Sequence, residues 1–166
     1  MGYVGEEQNF YMDKSVAWTG KFASRFYNRW DTNMFESLIS RFSISRSKKI
    51  RELSKGMKVK LSLALALSHN PELIILDEPT AGLDPVIRRE LLELLRRIPD
   101  KGDKSVIISS HITDDIARTA DIVSFMVDGR IVLSAPKDDL LDQWKRIHYQ
   151  EEALDQDIVI TLINRK

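Results

Sequence analysis

The chain has 166 residues, enough for one domain with a substantial core, and its 43% hydrophobic and 30% charged content is ordinary for a soluble globular protein. Lys plus Arg equal Asp plus Glu at 25 each, so no net field gathers nucleic acid or anionic lipid, and the lack of Cys excludes disulfides and thiolate metal sites. No apolar stretch reaches the ~20 residues that span a bilayer, and the first residues show neither region of a signal peptide, so a cytoplasmic protein is expected.

Residues 13–45 read as two helices. Val16, Phe22, Phe26 and Trp30 recur at four- or six-residue steps, and Met34, Leu38, Ile39 and Phe42 show three-and-four spacing. Asp31 or Thr32 is the expected N-cap between them. The aromatic residues are assigned to the core rather than to ligand stacking. Residues 61–68, Leu-Ser-Leu-Ala-Leu-Ala-Leu-Ser, alternate strictly, which argues for a strand. Ala and Leu are strong helix formers and no β-branched residue interrupts the run, so a helix leaving Ser54 is the expectation. The N–H groups at its start make an anion site, and Gly56 permits close approach of a phosphate.

From Glu72 onward strands and helices alternate. Strand 72–77 leads to a helix over 85–98, with Pro85 in the favoured first turn. Strand 104–109 follows, then a short helix capped by Thr113 or Asp114. Strands 121–127 and 130–135 form a hairpin across Asp128-Gly129. Residues 140–147 read as helix and 158–163 as a last strand. Such alternation predicts an α/β fold with a largely parallel sheet. The aliphatic run Leu73-Ile74-Ile75-Leu76 ends abruptly in Asp77 and Glu78. Ligands gather at the carboxyl ends of buried parallel strands, so Asp77 is placed to hold a hydrated Mg²⁺ and Glu78 to orient or deprotonate a water. A strand followed by an acidic turn is the bland alternative.

Three blocks in order carry a stronger signal: Leu53-Ser54-Lys55-Gly56-Met57, the run from Leu73 through Asp77-Glu78-Pro79-Thr80-Ala81-Gly82-Leu83-Asp84-Pro85, and Ser109-Ser110-His111. Together they resemble the signature motif, the Walker B strand with its D-loop, and the switch histidine of the nucleotide-binding domain of ATP-binding cassette (ABC) transporters. The resemblance runs from Tyr3 to about Trp144. It implies a partial P-loop NTPase fold with a small helical subdomain, divided as residues 1–70 (Q-loop, helical subdomain and signature helix), 71–150 (Walker B, D-loop and H-loop core) and 151–166 (terminal strand and tail). The seven glycines include no pair with the G-x-x-x-x-G-K-[ST] spacing that cradles phosphates. The chain is therefore expected to be the C-terminal portion of such a domain, lacking the Walker A region and inactive alone.

The resemblance also assigns roles. Ser54, Lys55, Gly56 and Met57 would face the γ-phosphate of an ATP held by a second ABC ATPase domain, in a homo- or heterodimer. Lys55 and Met57 depart from the family's usual Gly and Gln. Asp77 would hold Mg²⁺, Glu78 would polarise the attacking water, His111 would contact the γ-phosphate, and Asp84 would link the two sites. For Asp84 an N-cap role is equally open. Glu6, in Tyr3-Val4-Gly5-Glu6-Glu7-Gln8, stands where most members carry Gln and is taken as a metal-side and nucleotide contact, a feature shared with exporter-type members. His69 and His148 are taken as structural or solvated. The implied partner is a transmembrane permease subunit, part of which would cover the helical subdomain's aromatic surface and hold the protein at the inner face of the membrane. ATP and Mg²⁺ are the implied cofactors. A non-transport ABC protein and a catalytically dead regulatory module are the alternatives. The strand that leads into the phosphate loop is expected beside the Walker B strand. Its absence would leave a gap that either drives self-association, the expected outcome, or is closed by residues 158–162.

Overall fold

The computed structural model describes residues 1–98, 104–144 and 158–163. Six strands form one sheet: β1 (Gly2–Val4), β2 (Leu73–Asp77), β3 (Ser105–Ser110), β4 (Ile122–Val127), β5 (Arg130–Pro136) and β6 (Ile158–Ile163), in the spatial order β1-β2-β3-β6-β4-β5. β1, β2 and β3 are parallel, β6 runs antiparallel to both β3 and β4, and β5 is antiparallel to β4. Four strands, β1 to β4, thus point one way, which is the mostly parallel α/β sheet expected. The helices are α1 (Val16–Ala23), α2 (Thr32–Arg41), α3 (Lys55–Leu67), α4 (Pro85–Arg96), α5 (Thr113–Thr119) and α6 (Lys137–Trp144).

β2 is the centre of the parallel half. Its aliphatic run is continuous, as in strands of parallel sheets, but burial alternates along it: Ile74 and Leu76 are buried while Leu73 and Ile75 on the other face are half-buried. Ile74 and Leu76 are fully buried in one cluster with Leu61 and Leu63 of α3 and Leu91 and Leu95 of α4. The alternating segment 61–68 is helical through Leu67, and burial explains the misleading pattern. α3 buries Val59, Leu61, Leu63, Ala64, Ala66 and Leu67 on several sides, so its apolar residues mark no single face.

The first helical region is shorter and more broken than its periodicity implies. Ser15 caps α1 by accepting from the Trp18 N–H at 3.1 Å, and Asp31 caps α2 by accepting from Met34 at 2.9 Å. The core assignment of the aromatics holds only in part. Phe35 is buried and Trp30 packs on the core, whereas Trp18, Phe22 and Phe26 line up with Tyr11 in a surface ladder of stacked and edge-on rings. α1 buries Val16, Thr19 and Gly20, so positions 18 and 22 fall on its other side.

Two further expectations are corrected. β2 is paired on both sides, by β1 and β3, so no gap lies beside it; the strand position next to β3 is taken by β6. The chain's own residues 158–163 thus complete the sheet between β3 and β4. The short helix α5 is capped by neither Thr113 nor Asp114. Ile112 holds the cap position without a side-chain bond, and its N–H donates to Ser110 Oγ instead. The hairpin turn forms as expected, with Asp128 and Gly129 both at positive φ. Of the expected helix 140–147, residues 145–147 lie outside the described residues, as does His148.

Candidate active site

The parallel register pairs Leu76 with Ile108 and Asp77 with Ser109, so β2 and β3 deliver their last residues to the same sheet end. Ser109 Oγ donates to Asp77 Oδ1 at 2.6 Å and accepts from the Glu78 N–H at 3.0 Å. The Glu78 N–H also reaches the Ser109 carbonyl at 3.2 Å. One hydroxyl therefore fixes both acidic residues, Asp77 through its carboxylate and Glu78 through its backbone.

Glu78 leaves the strand with φ +45°, the left-handed region in which a long side chain costs of order 1–3 kcal/mol. This turn sends its carboxylate toward β3. Oε1 accepts from the His111 N–H at 2.9 Å and lies 2.9 Å from His111 Nδ1, while His111 itself is largely exposed. Oε2 is buried and has no hydrogen-bond partner. With Oε1 engaged by His111, Oε2 is the Glu78 oxygen left to accept from a donor outside the chain, such as a water. Asp77, Glu78 and His111, distant or merely adjacent in sequence, are joined here into one connected group.

The second group forms around the start of α3. Ser54 caps the helix, accepting from the Met57 N–H at 3.3 Å, and the Met57 side chain packs on the core. Gly56 is buried against α4: a Cβ placed there would meet Ile87 Cγ2 at 2.6 Å. Close helix packing is thus a reason for glycine at 56 that the sequence did not reveal. Asp84 caps α4 by accepting from the Val86 and Ile87 N–H groups, both at 3.1 Å. Between them, Gly82 has φ +66°, and Lys55 Nζ lies against it, 2.9 Å from where a Cβ would stand. Lys55 thus reaches from α3 to the loop that ends at Asp84. Among the described residues no hydrogen bond or ion pair joins residues 54–57 to Asp77, Glu78 or His111. Glu6 is exposed in the loop after β1, where Gln8 Nε2 folds back onto the Gly5 carbonyl at 2.8 Å.

Sequence reasoning gave no role to Ser109 and Thr80, although both lie in its motifs, and missed Arg88 and Asp115. Thr80 and Asp115 are each 2% exposed and hydrogen-bonded to one another. A serine at the end of an apolar strand beside an Asp-Glu pair could have drawn attention to Ser109; nothing local marks Asp115. His69 is buried, stacks on Tyr27 with ring centroids 4.1 Å apart, and uses Nε2 to contact the Met1 carbonyl at 3.0 Å. Burial, with the N-terminal amine and Lys104 adding to it, lowers its pKa below the ordinary 6.5.

A sheet with a parallel half flanked by helices, with an acidic pair and a histidine at its carboxyl end, has its polar groups where α/β domains bind ligands. Residues 21–113 match a family described as "AAA domain, putative AbiEii toxin, Type IV TA system". The ABC transporter ATP-binding protein YtrB of Bacillus subtilis is 35% identical over 138 residues, 83% of this chain and 46% of that protein. The uncharacterized ABC transporter ATP-binding protein MJ1023 of Methanocaldococcus jannaschii is 32% identical over 158 residues, 92% of this chain and 60% of that protein. Among solved structures, an ATP binding subunit of an ABC transporter aligns with TM-score 0.74 at 27% identity, covering 89% of this chain and 63% of that one. The cbiO1 protein of Clostridium perfringens, part of the complex cbiONQ, aligns at 0.71 and 27%. The family match takes in more than half of the chain, so the chain belongs to this family, and its relatives and structural neighbours place it among the ATP-binding domains of ABC transporters. It spans about half the length of the curated relatives it matches. Among the described residues, no helix is long and apolar enough to cross a membrane.

Proposed function

We propose that this chain forms the catalytic-carboxylate and signature portion of an ATP-binding subunit, which couples ATP binding and hydrolysis to transport by a membrane permease. The observation that carries this reading is the Asp77-Ser109-Glu78-His111 arrangement at the ends of β2 and β3. The donor set fits Mg²⁺: proteins commonly hold this ion through one or two carboxylates plus substrate phosphates, and Asp77 offers a carboxylate already oriented by Ser109. Bound there, Mg²⁺ supplies charge neutralisation to the phosphate oxygens.

This chain's own residues then divide the work. Asp77, with Glu6 as a further contact, would hold the ion. Glu78 Oε2 accepts a hydrogen bond from the attacking water and orients it, while Oε1 stays anchored on His111. His111, exposed beside it, is free to face a γ-phosphate. The N-terminal turn of α3, with Ser54, Lys55 and Gly56, faces the nucleotide of a second ATPase domain, and Asp84 links the two sites across that pair of domains. The Tyr11-Trp18-Phe22-Phe26 ladder is the surface offered to the permease.

Titration of the ¹⁵N-labelled chain with Mg-ATP tests this reading. The expected outcome is weak binding in the millimolar range, around −4 kcal/mol, with shifts at Ser54–Met57, Asp77 and His111. Micromolar binding, or shifts that avoid these residues, would refute it. In an assembly that supplies a phosphate loop, Glu78→Gln should slow hydrolysis by ~10²–10⁴-fold while ATP is retained. Unchanged turnover in that variant would favour the regulatory-module alternative.

A further inference from the structure

Asp115 has no place in the roles above, yet it is among the most deeply buried charged groups described, at 2% exposure. Both of its carboxylate oxygens are engaged. Thr80 Oγ1 donates to Oδ2 at 2.5 Å, and Arg88 brings Nε and Nη2 each to 2.6 Å from Oδ1. Thr80 lies two residues after Glu78, and Arg88 closes the first turn of α4, its N–H donating to the Asp84 carbonyl at 2.9 Å. A single carboxylate on α5 therefore grips both flanks of the loop from Glu78 to Asp84. The helix that carries it starts two residues after His111, and Thr119 Oγ1 braces the same turn by donating to the Asp115 carbonyl at 2.6 Å.

The loop needs such a grip. Glu78 holds a left-handed conformation, which persists only where neighbouring contacts over-determine it. On the β2 side that constraint is the Glu78 N–H on Ser109. On the other side Pro79 has no N–H to contribute. The first side-chain anchor after Glu78 is thus Thr80, and what it is anchored to is Asp115.

We propose that Asp115 is a positioning residue: through Thr80 and Arg88 it holds the backbone at Glu78 in its left-handed turn and so keeps the Glu78 carboxylate on His111. The importance of this pairing rests on the functional reading above, but the geometry exists with or without nucleotide. Local strain and a distant buried ion pair thus act on one bond, Glu78 Oε1 to the His111 N–H.

Amide hydrogen exchange by NMR on the full 166-residue chain tests it. The reporters are the amides of Glu78 and His111, both hydrogen-bonded here, with Val59 to Leu63 of α3 as internal control. Thr80→Val keeps the shape but removes the donor, Asp115→Asn keeps the shape but removes the charge, and Thr80→Ser keeps the donor. We expect Thr80→Val and Asp115→Asn to speed exchange at Glu78 and His111 by about tenfold or more while the α3 amides stay within about twofold. Thr80→Ser should restore slow exchange, and the ¹⁵N resonance of His111 Nδ1 should move in the first two variants only. Unchanged exchange at both reporters, or acceleration equal to that of α3, would overturn the proposal. Should Asp115→Asn fail to fold, the Thr80→Val and Thr80→Ser pair decides alone. A chain that binds no ATP would undo the functional reading and leave this result standing.

Discussion

β2 and β5 are built from similar aliphatic residues and meet opposite fates. Ile74 and Leu76 of β2 are fully buried, whereas Ile131, Val132 and Leu133 of β5 are 61%, 62% and 46% exposed. The difference lies in position. β2 is flanked by β1 and β3 and packed under α3 and α4, while β5 is the last strand of the sheet, beyond β4, with an unpaired edge among the described residues. Around β4 and β5 only a small cluster is buried, formed by Ile116, Ala120, Val123 and Leu140. The comparison teaches that an apolar run specifies a strand, but the strand's place in the sheet specifies whether its side chains are buried. It also explains where chemistry can be built: the acidic pair sits at the end of a strand that is paired at both edges and buried on one face.

The contrast can be broken directly by truncation. Leu76→Ala should cost about 2–5 kcal/mol through lost burial and the cavity left behind, and Val132→Ala about 0.5 kcal/mol or less. Urea unfolding of the two variants checks this, and equal costs would remove the distinction. With β6 completing the sheet beside β3, the free edge of β5 becomes the surface on which self-association is expected. Val132→Lys should lower the association constant about tenfold, or ~1.4 kcal/mol, because an edge lysine blocks strand pairing. Light scattering over a dilution series reads this; a parent chain monomeric at every concentration would refute it. At the exit of β2, Asp84→Ala should cost about 1 kcal/mol by uncapping α4, read as a shift in the unfolding midpoint.

The smallest effect concerns the entry to β2, where His69 precedes Asn70 and Pro71. Its folded pKa is depressed mainly by burial, so the unfolded chain binds the proton more readily. The stabilisation is therefore complete above the unfolded value of 6.5 and is lost as pH falls below it toward the folded value. Unfolding midpoints measured at neutral pH and at about pH 5.5 should differ less in His69→Gln than in the parent. An identical pH slope in both would exclude His69 as a source.

Much of this architecture is legible in the residues alone, because its causes are local. The Leu73–Leu76 run, the Asp-Gly turn at 128–129, and the caps Asp31, Ser54 and Asp84 act on neighbours within about four positions, and each forms where its chemistry directs. The helix of residues 61–67 emerges from propensity against a misleading alternation. The end of the aliphatic run singled out Asp77 and Glu78, and resemblance added His111, but local chemistry could not say that one serine ties the first two together. The Ser109 hydroxyl, the Glu78 contact to His111, the packing of Ile87 on Gly56 and the grip of Asp115 on Thr80 all join residues some thirty positions apart. Such contacts follow from strand order and helix packing, which only the assembled sheet decides. The same holds for β6, whose apolar composition specifies a strand while its place between β3 and β4 is set by which edges were open to pair with it.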